Sequence, residues 1–219
     1  MQRIIPPMPG FLQTLRDECT KRGIVLIFDE VVTGFRLAYG GAQELYGVTP
    51  DLCTLGKVIG GGFPLAAIAG NAEIMAHFDM HKVGRKGFLM QIGTLSGNPV
   101  AAIAGLKTME VLSRPGQYEK LFNIGHVLMD AIKTHLSAAG HAHQIAGHPV
   151  LFDVVFTDKP IQNYRDTMTG DKNKAAQFNK ILRREGILKS PSKMYMSLAL
   201  SEDDIAKTID AIAVAAREL

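Results

Sequence analysis

The sequence predicts an α/β fold, and three observations carry that reading. Short apolar runs rich in β-branched residues, such as "IVLIF" at 24–28, alternate with longer segments of helical periodicity. The alternation runs to the end of the chain, and no internal repeat or low-complexity tract interrupts it. With 219 residues and an apolar content of 47%, the chain can bury one large core or two small ones.

Each element follows from local pattern. Phe11, Leu12, Leu15 and Cys19 recur at helical spacing and predict a helix over 10–22, which Gly23 can end. "IVLIF" is a continuous apolar run, as in a parallel strand buried on both faces. "DLCTL" at 51–55 and "LAAIAG" at 65–70 read as further short strands. Asn98 followed by Pro99 is an N-cap with proline at the first helical position, and the helix it opens runs to about Leu112. "SRPGQ" at 113–117 punctuates the chain and is a candidate domain seam. Beyond it come a long helix to about Ala138 and a strand at 150–156. A helix over 171–186 closing at Gly186 follows, then a strand, "KMYMSLAL", at 193–200. The last helix places Ile205, Ile209, Ile212, Ala213 and Ala216 on one face. Ser201 caps it, and Glu202, Asp203 and Asp204 complement its dipole.

Composition narrows the function classes. A net charge of +3, scattered along the chain, gives no footprint for nucleic acid. No apolar stretch reaches the roughly 18 residues a membrane span needs. Cys19 and Cys53 have no metal or redox spacing and read as free thiols of a reducing, cytoplasmic protein. The opening "MQRIIPPMPGFL" lacks the features of a signal peptide. It also enters a helix with no preceding strand, so the chain is expected to be the later portion of a larger fold. His141, His143 and His148 cluster in "GHAHQIAGHP" with no carboxylate or cysteine to complete a ligand set. They read as loop or turn histidines, and no metal is expected.

Three segments carry candidate chemistry. Asp29 ends the first apolar strand, and open α/β sheets bind ligands beyond the carboxyl ends of their strands. By itself it reads as a loop-capping aspartate. Lys57 lies after the second strand, in "TLGKVIGGGFPL", where glycines give a ligand room to approach. By itself it reads as a solvated lysine. "GTLSGNP" puts Gly93, Thr94 and Ser96 ahead of a helix start, a setting for an anion or for an ordinary cap. Together the three ask for one ligand with an aldehyde for the amine, a basic ring nitrogen for the carboxylate, and a phosphate. Pyridoxal 5'-phosphate has all three.

The stretch from "LIFDEVVTGFR" to "DLCTLGKVIGGGFPL", with "GTLSGNP" beyond it, resembles the class III pyridoxal-phosphate aminotransferases, closest to the glutamate-1-semialdehyde 2,1-aminomutase branch. The resemblance implies the fold-type I architecture, truncated at its N-terminal side. Residues 1–115 would be the C-terminal portion of the cofactor-binding large domain, with a mostly parallel sheet, and 116–219 the small α/β domain. It implies that Lys57 forms the Schiff base, that Asp29 pairs with the pyridine nitrogen, and that Val31 packs on the ring face. Thr94 would bind the phosphate from a partner subunit, making the functional unit a homodimer that acts on a small-molecule amino donor and acceptor. The expected activity is amino-group transfer, either intermolecular or within one molecule as in an aminomutase. The segment "FLMQIGTLSGNP" carries Met90 and Ile92 where the aminomutases have tyrosine and alanine. An ω- or β-amino acid transaminase therefore stands as the alternative, beside a non-catalytic fragment that keeps only an interaction surface.

Overall fold

The computed structural model describes residues 4–219, so the first three residues of the opening stretch lie outside it. The chain divides into two compact units, Pro9–Pro115 and Gly116–Leu219 with the opening residues up to Met8.

In the first unit, α1 (Phe11–Arg22) is closed by Gly23 at φ 64, whose N–H reaches the carbonyls of Cys19 and Thr20. The next strand, β1, covers only Ile27–Asp29, and it is not buried on both faces as the apolar run predicts. Ile24, Val25 and Ile27 are 52%, 49% and 55% exposed. Side chains leave a strand from its faces, so this exposure means that the faces here lack cover, and only Ile27 of the three belongs to β1. In the order β1-β2-β3, β1 lies at the edge of its sheet. An apolar run tells that a surface prefers cover, not which segment supplies it. Ahead of Ile27 the chain is tied down by Asp51, whose carboxylate accepts the Leu26 N–H at 2.7 Å and an Arg16 N–H at 3.0 Å.

Helix α2 (Gly41–Tyr46) follows, then β2 (Leu52–Leu55), a single 3-10 turn at Lys57–Gly60, and β3 (Ala67–Gly70). β1 and β2 pair in parallel, Ile27 opposite Leu52 and Asp29 opposite Thr54. β3 returns antiparallel to β2, so these three strands form a mixed sheet. Two short helices come next, α3 (Ala72–Met75) and α4 (Met80–Gly87), the second broken at Gly84. Then α5 (Pro99–Leu112) begins as its sequence predicts, with the Asn98 side-chain Oδ1 accepting the N–H groups of Val100 and Ala101. It lies against the 3-10 turn at very close range. A Cβ on Gly105 would sit 2.5 Å from the Ile59 carbonyl oxygen, and one on Gly61 2.5 Å from Thr108 Oγ1.

The second unit is built on α6 (Gln117–Ala138), which buries Leu121, Ile124, Leu128, Ile132 and Leu136 along one stripe. Its sheet runs β4 (Gln144–His148), β5 (Leu151–Val155), β6 (Met194–Tyr195), antiparallel throughout. All five residues of the central β5 are buried. Gly125 of α6 faces the turn between β4 and β5 so closely that a Cβ would overlap the Pro149 carbonyl. α7 (Lys172–Arg184) and α8 (Glu202–Glu218) complete the unit. Arg184 joins them with two parallel bonds of 2.8 Å to the Glu218 carboxylate. A capping box opens α8: the Asp204 N–H donates to Ser201 Oγ, and the Ser201 N–H donates back to the Asp204 carboxylate. Ile212 and Ala216 are buried there with Thr208, Ala211 and Ala215, while Ile205, Ile209 and Ala213 flank this stripe half-buried.

Two expectations fail in this unit. "KMYMSLAL" forms a strand only at Met194–Tyr195, because past Met196 the chain turns to meet the α8 cap. His148 is not in a loop: it ends β4, opposite Leu151, and burial pushes its ring below the ordinary histidine value. His141 and His143 lie in irregular chain. His141 bonds the Ala216 carbonyl through Nε2 at 3.0 Å and Lys174 Nζ through Nδ1 at 3.2 Å. Among the described residues, no group of three or more His, Cys, Asp or Glu could hold a metal ion. None of the described helices is long and apolar enough to cross a membrane.

Candidate functional site

The parallel pairing of β1 with β2 sends both strands out at the same edge, so their carboxyl ends deliver residues side by side. Asp29 is the last residue of β1 and its side chain is exposed. Its Oδ1 accepts the Val31 N–H at 3.1 Å and the Thr54 hydroxyl at 3.2 Å. Both bonds fall on one oxygen, which leaves Oδ2 available to a ligand cation.

β2 ends at Leu55, and Gly56 leads directly into Lys57. Lys57 is exposed and holds a left-handed backbone, φ 50, shared among the described non-glycine residues only by Phe35. For an ordinary side chain that conformation costs about 1–2 kcal/mol, and strain of this kind concentrates at functional positions. The lysine is held there from below. Gly61, itself at φ 56, closes the 3-10 turn onto Val58, and the turn packs on α5.

Val31 links the two ends. A Cβ on Gly56 would stand 3.4 Å from Val31 Cγ1, an ordinary contact distance. The valine that follows the carboxylate thus lies beside the glycine that precedes the amine. Asp29, Val31 and Lys57 are assembled at one sheet edge. Thr94 is not joined to them: no hydrogen bond connects it with Asp29 or Lys57. It sits exposed in a turn ahead of α5, where the Ser96 N–H reaches the Gly93 carbonyl and the Asn98 N–H reaches Leu95.

A buried carboxylate stands next to Asp29. Glu30 is 1% exposed, and its carboxylate receives four donors, the N–H groups of Ala42 and Gln43, the Thr33 hydroxyl and the Gln43 amide. The signal available was the glycine pair Gly40–Gly41, a helix start without a serine, aspartate or asparagine of its own to cap it.

Comparison with known proteins identifies the family. The family described as aminotransferase class-III matches residues 4–215. A glutamate-1-semialdehyde 2,1-aminomutase of Brevibacillus brevis is 44% identical over 95% of this chain and 48% of its own. Among solved structures, an omega-transaminase from Sphaerobacter thermophilus superposes with a TM-score of 0.88 at 35% identity, over 97% of this chain and 48% of that one. A β-phenylalanine aminotransferase from Variovorax paradoxus gives 0.84 at 33% identity, with the same coverage. The chain therefore spans about half the length of the relatives it matches. On the extent of these matches, the chain belongs to the class-III aminotransferase family.

Proposed function

We propose that this chain supplies the lysine-bearing part of a pyridoxal 5'-phosphate-dependent enzyme that transfers amino groups. The observation that carries the proposal is the shared sheet edge: a carboxylate with one free oxygen, an exposed amine on strained backbone, and a branched apolar side chain between them. This set fits the cofactor. Lys57 Nζ would be the nucleophile for its aldehyde, Asp29 Oδ2 the partner for its ring nitrogen, and Val31 an apolar support for its ring. When bound, pyridoxal phosphate supplies an electron sink for the carbon that bears the amino group. Asp29 favours the protonated ring nitrogen, because an opposite charge stabilises the charged form. Lys57 Nζ would serve as the general base that takes a proton from the substrate carbon bearing the amino group, and as the general acid that returns it.

Residues 1–115 are read as the C-terminal portion of the cofactor-binding domain and 116–219 as the small domain. The functional unit is a homodimer in which Thr94 serves the partner's phosphate site. Support comes from the apolar side chains that stand exposed along this region, Leu89, Met90, Ile92 and Leu95, followed by Val100 and Ile103 of α5. The substrate reading is an aminomutase or a transaminase of ω- or β-amino acids, in keeping with relatives described as an aminomutase, an omega-transaminase and a β-phenylalanine aminotransferase. The identities of Met90 and Ile92 beside "GTLSGNP", where the aminomutase resemblance implies tyrosine and alanine, are the ground for the transaminase reading. A non-catalytic role is the competing reading, favoured by the exposed apolar edge at Ile24, Val25 and Ile27.

Adding pyridoxal phosphate to the protein tests the proposal. The expected result is a visible absorbance band that Lys57→Ala abolishes. A wild-type protein that develops no band would favour the non-catalytic reading.

A further inference from the structure

We infer that Glu30 is the positioning residue that holds Asp29 and Val31 in the orientation the ring requires. The inference rests on the reading of Asp29 as the partner of a ring nitrogen. Asp29 and Glu30 are successive residues at a strand end, so their side chains leave on opposite faces. The outward one is exposed and the inward one is 1% exposed. The Glu30 N–H continues the ladder to the Thr54 carbonyl at 2.9 Å, and the Glu30 carbonyl accepts the Gly34 N–H at 2.8 Å. Its side chain then fastens the far end of the same loop. Oε2 accepts the Ala42 N–H at 2.7 Å and the Thr33 hydroxyl at 2.8 Å. Oε1 accepts the Gln43 N–H at 3.1 Å and the Gln43 amide at 3.2 Å. One residue thus closes both ends of the segment that contains Val31 and satisfies two amides of the first turn of α2. Rotation of the Asp29 backbone would have to expel this carboxylate from all four donors.

The chemistry specifies glutamate and not its amide. The Thr33 hydroxyl can rotate and the Gln43 amide can flip, but the two backbone N–H groups can only donate, one to each oxygen. Glutamine at position 30 must point its own NH2 at one of them in either orientation. Aspartate is one carbon too short to span the same distance. Gly41 seals the arrangement: at φ 74, any Cβ would overlap Glu30 Oε2.

The test uses the whole chain and needs no cofactor for its first arm. Amide exchange and the Asp29 carboxyl carbon resonance are measured in wild type, Glu30→Gln and Thr33→Val. In Glu30→Gln, exchange at the Val31 amide, which is bonded to Asp29 Oδ1, should accelerate by up to roughly tenfold, the size expected when one hydrogen bond is unmade. The Asp29 resonance should move with it. Thr33→Val keeps both backbone donors and should show the same changes in smaller measure, so the test survives if Glu30→Gln does not fold.

The second arm titrates pyridoxal phosphate. Glu30→Gln should weaken its binding in the wild-type background and leave it unchanged in an Asp29→Asn background, whereas a loss of general stability would appear in both. Unchanged Val31 exchange and an unmoved Asp29 resonance in the variants would overturn the inference while leaving the cofactor reading intact. Altered Asp29 geometry in a protein whose wild type takes up no cofactor would uphold the positioning role and overturn the cofactor reading instead.

Discussion

Replacing Lys57 separates what the site requires from what the fold prefers. At φ 50 its backbone lies where an L-residue loses about 1–2 kcal/mol and glycine loses nothing. Glycine also gains freedom in the unfolded chain, which costs the folded state about 0.4–1 kcal/mol. The net expectation is that Lys57→Gly is more stable than Lys57→Ala by about 0.5–1 kcal/mol. Alanine is the right comparison because it removes the same side chain and keeps the strain. With a urea slope of about 2 kcal/mol per molar, the midpoints should differ by roughly 0.3–0.5 M. Amide exchange along β2 reports the unit that contains the residue and guards against separate unfolding of the second unit. Both variants should lose cofactor uptake. Equal stabilities, or a less stable glycine variant, would refute the claim that the lysine is held at a conformational cost.

Other expectations follow from single contacts. Gly125→Ala would drive a methyl group into the Pro149 carbonyl and should destabilise the second unit by about 1–3 kcal/mol, read from thermal melting. Ser201→Ala removes one side of the α8 capping box and should cost about 1 kcal/mol, read as faster amide exchange in the first turn of that helix. The Asp51 carboxyl is held below the ordinary value by the Leu26 N–H and then by Arg16. Because its folded value is depressed, its contribution is complete above the unfolded value of about 3.9 and is lost as pH falls through the folded one. Asp51→Asn should therefore flatten the acid limb of the stability profile of the first unit, measured by amide exchange at several pH values.

Much of this was legible before the fold was known, and the limits have physical causes. Asn98–Pro99 and Ser201–Asp204 were readable because capping is a local contest between a side chain and a few backbone amides. Asp29 and Lys57 were readable as a pair because parallel strands must deliver their carboxyl ends to one edge. The length and burial of β1 were not, since Ile24, Val25 and Ile27 stand exposed and whether a sheet face is covered is decided by distant segments that no local pattern encodes. β4 went unseen because "QIAGH" is short and contains glycine, and it exists through its pairing with β5. Glu30 was hidden for a similar reason: its partners Ala42 and Gln43 lie beyond a loop, and backbone amides leave no trace in a sequence.

The central claim, that Asp29 and Lys57 form one cofactor-binding edge, is tested most directly by borohydride reduction of the protein with pyridoxal phosphate, followed by peptide mapping. Lys57 should be labelled at lower cofactor concentration than any other lysine. Asp29→Ala should raise the concentration required by about tenfold or more, the loss expected of a charge-assisted hydrogen bond. Label spread evenly over the exposed lysines, or Lys57 labelling indifferent to Asp29, would contradict the account.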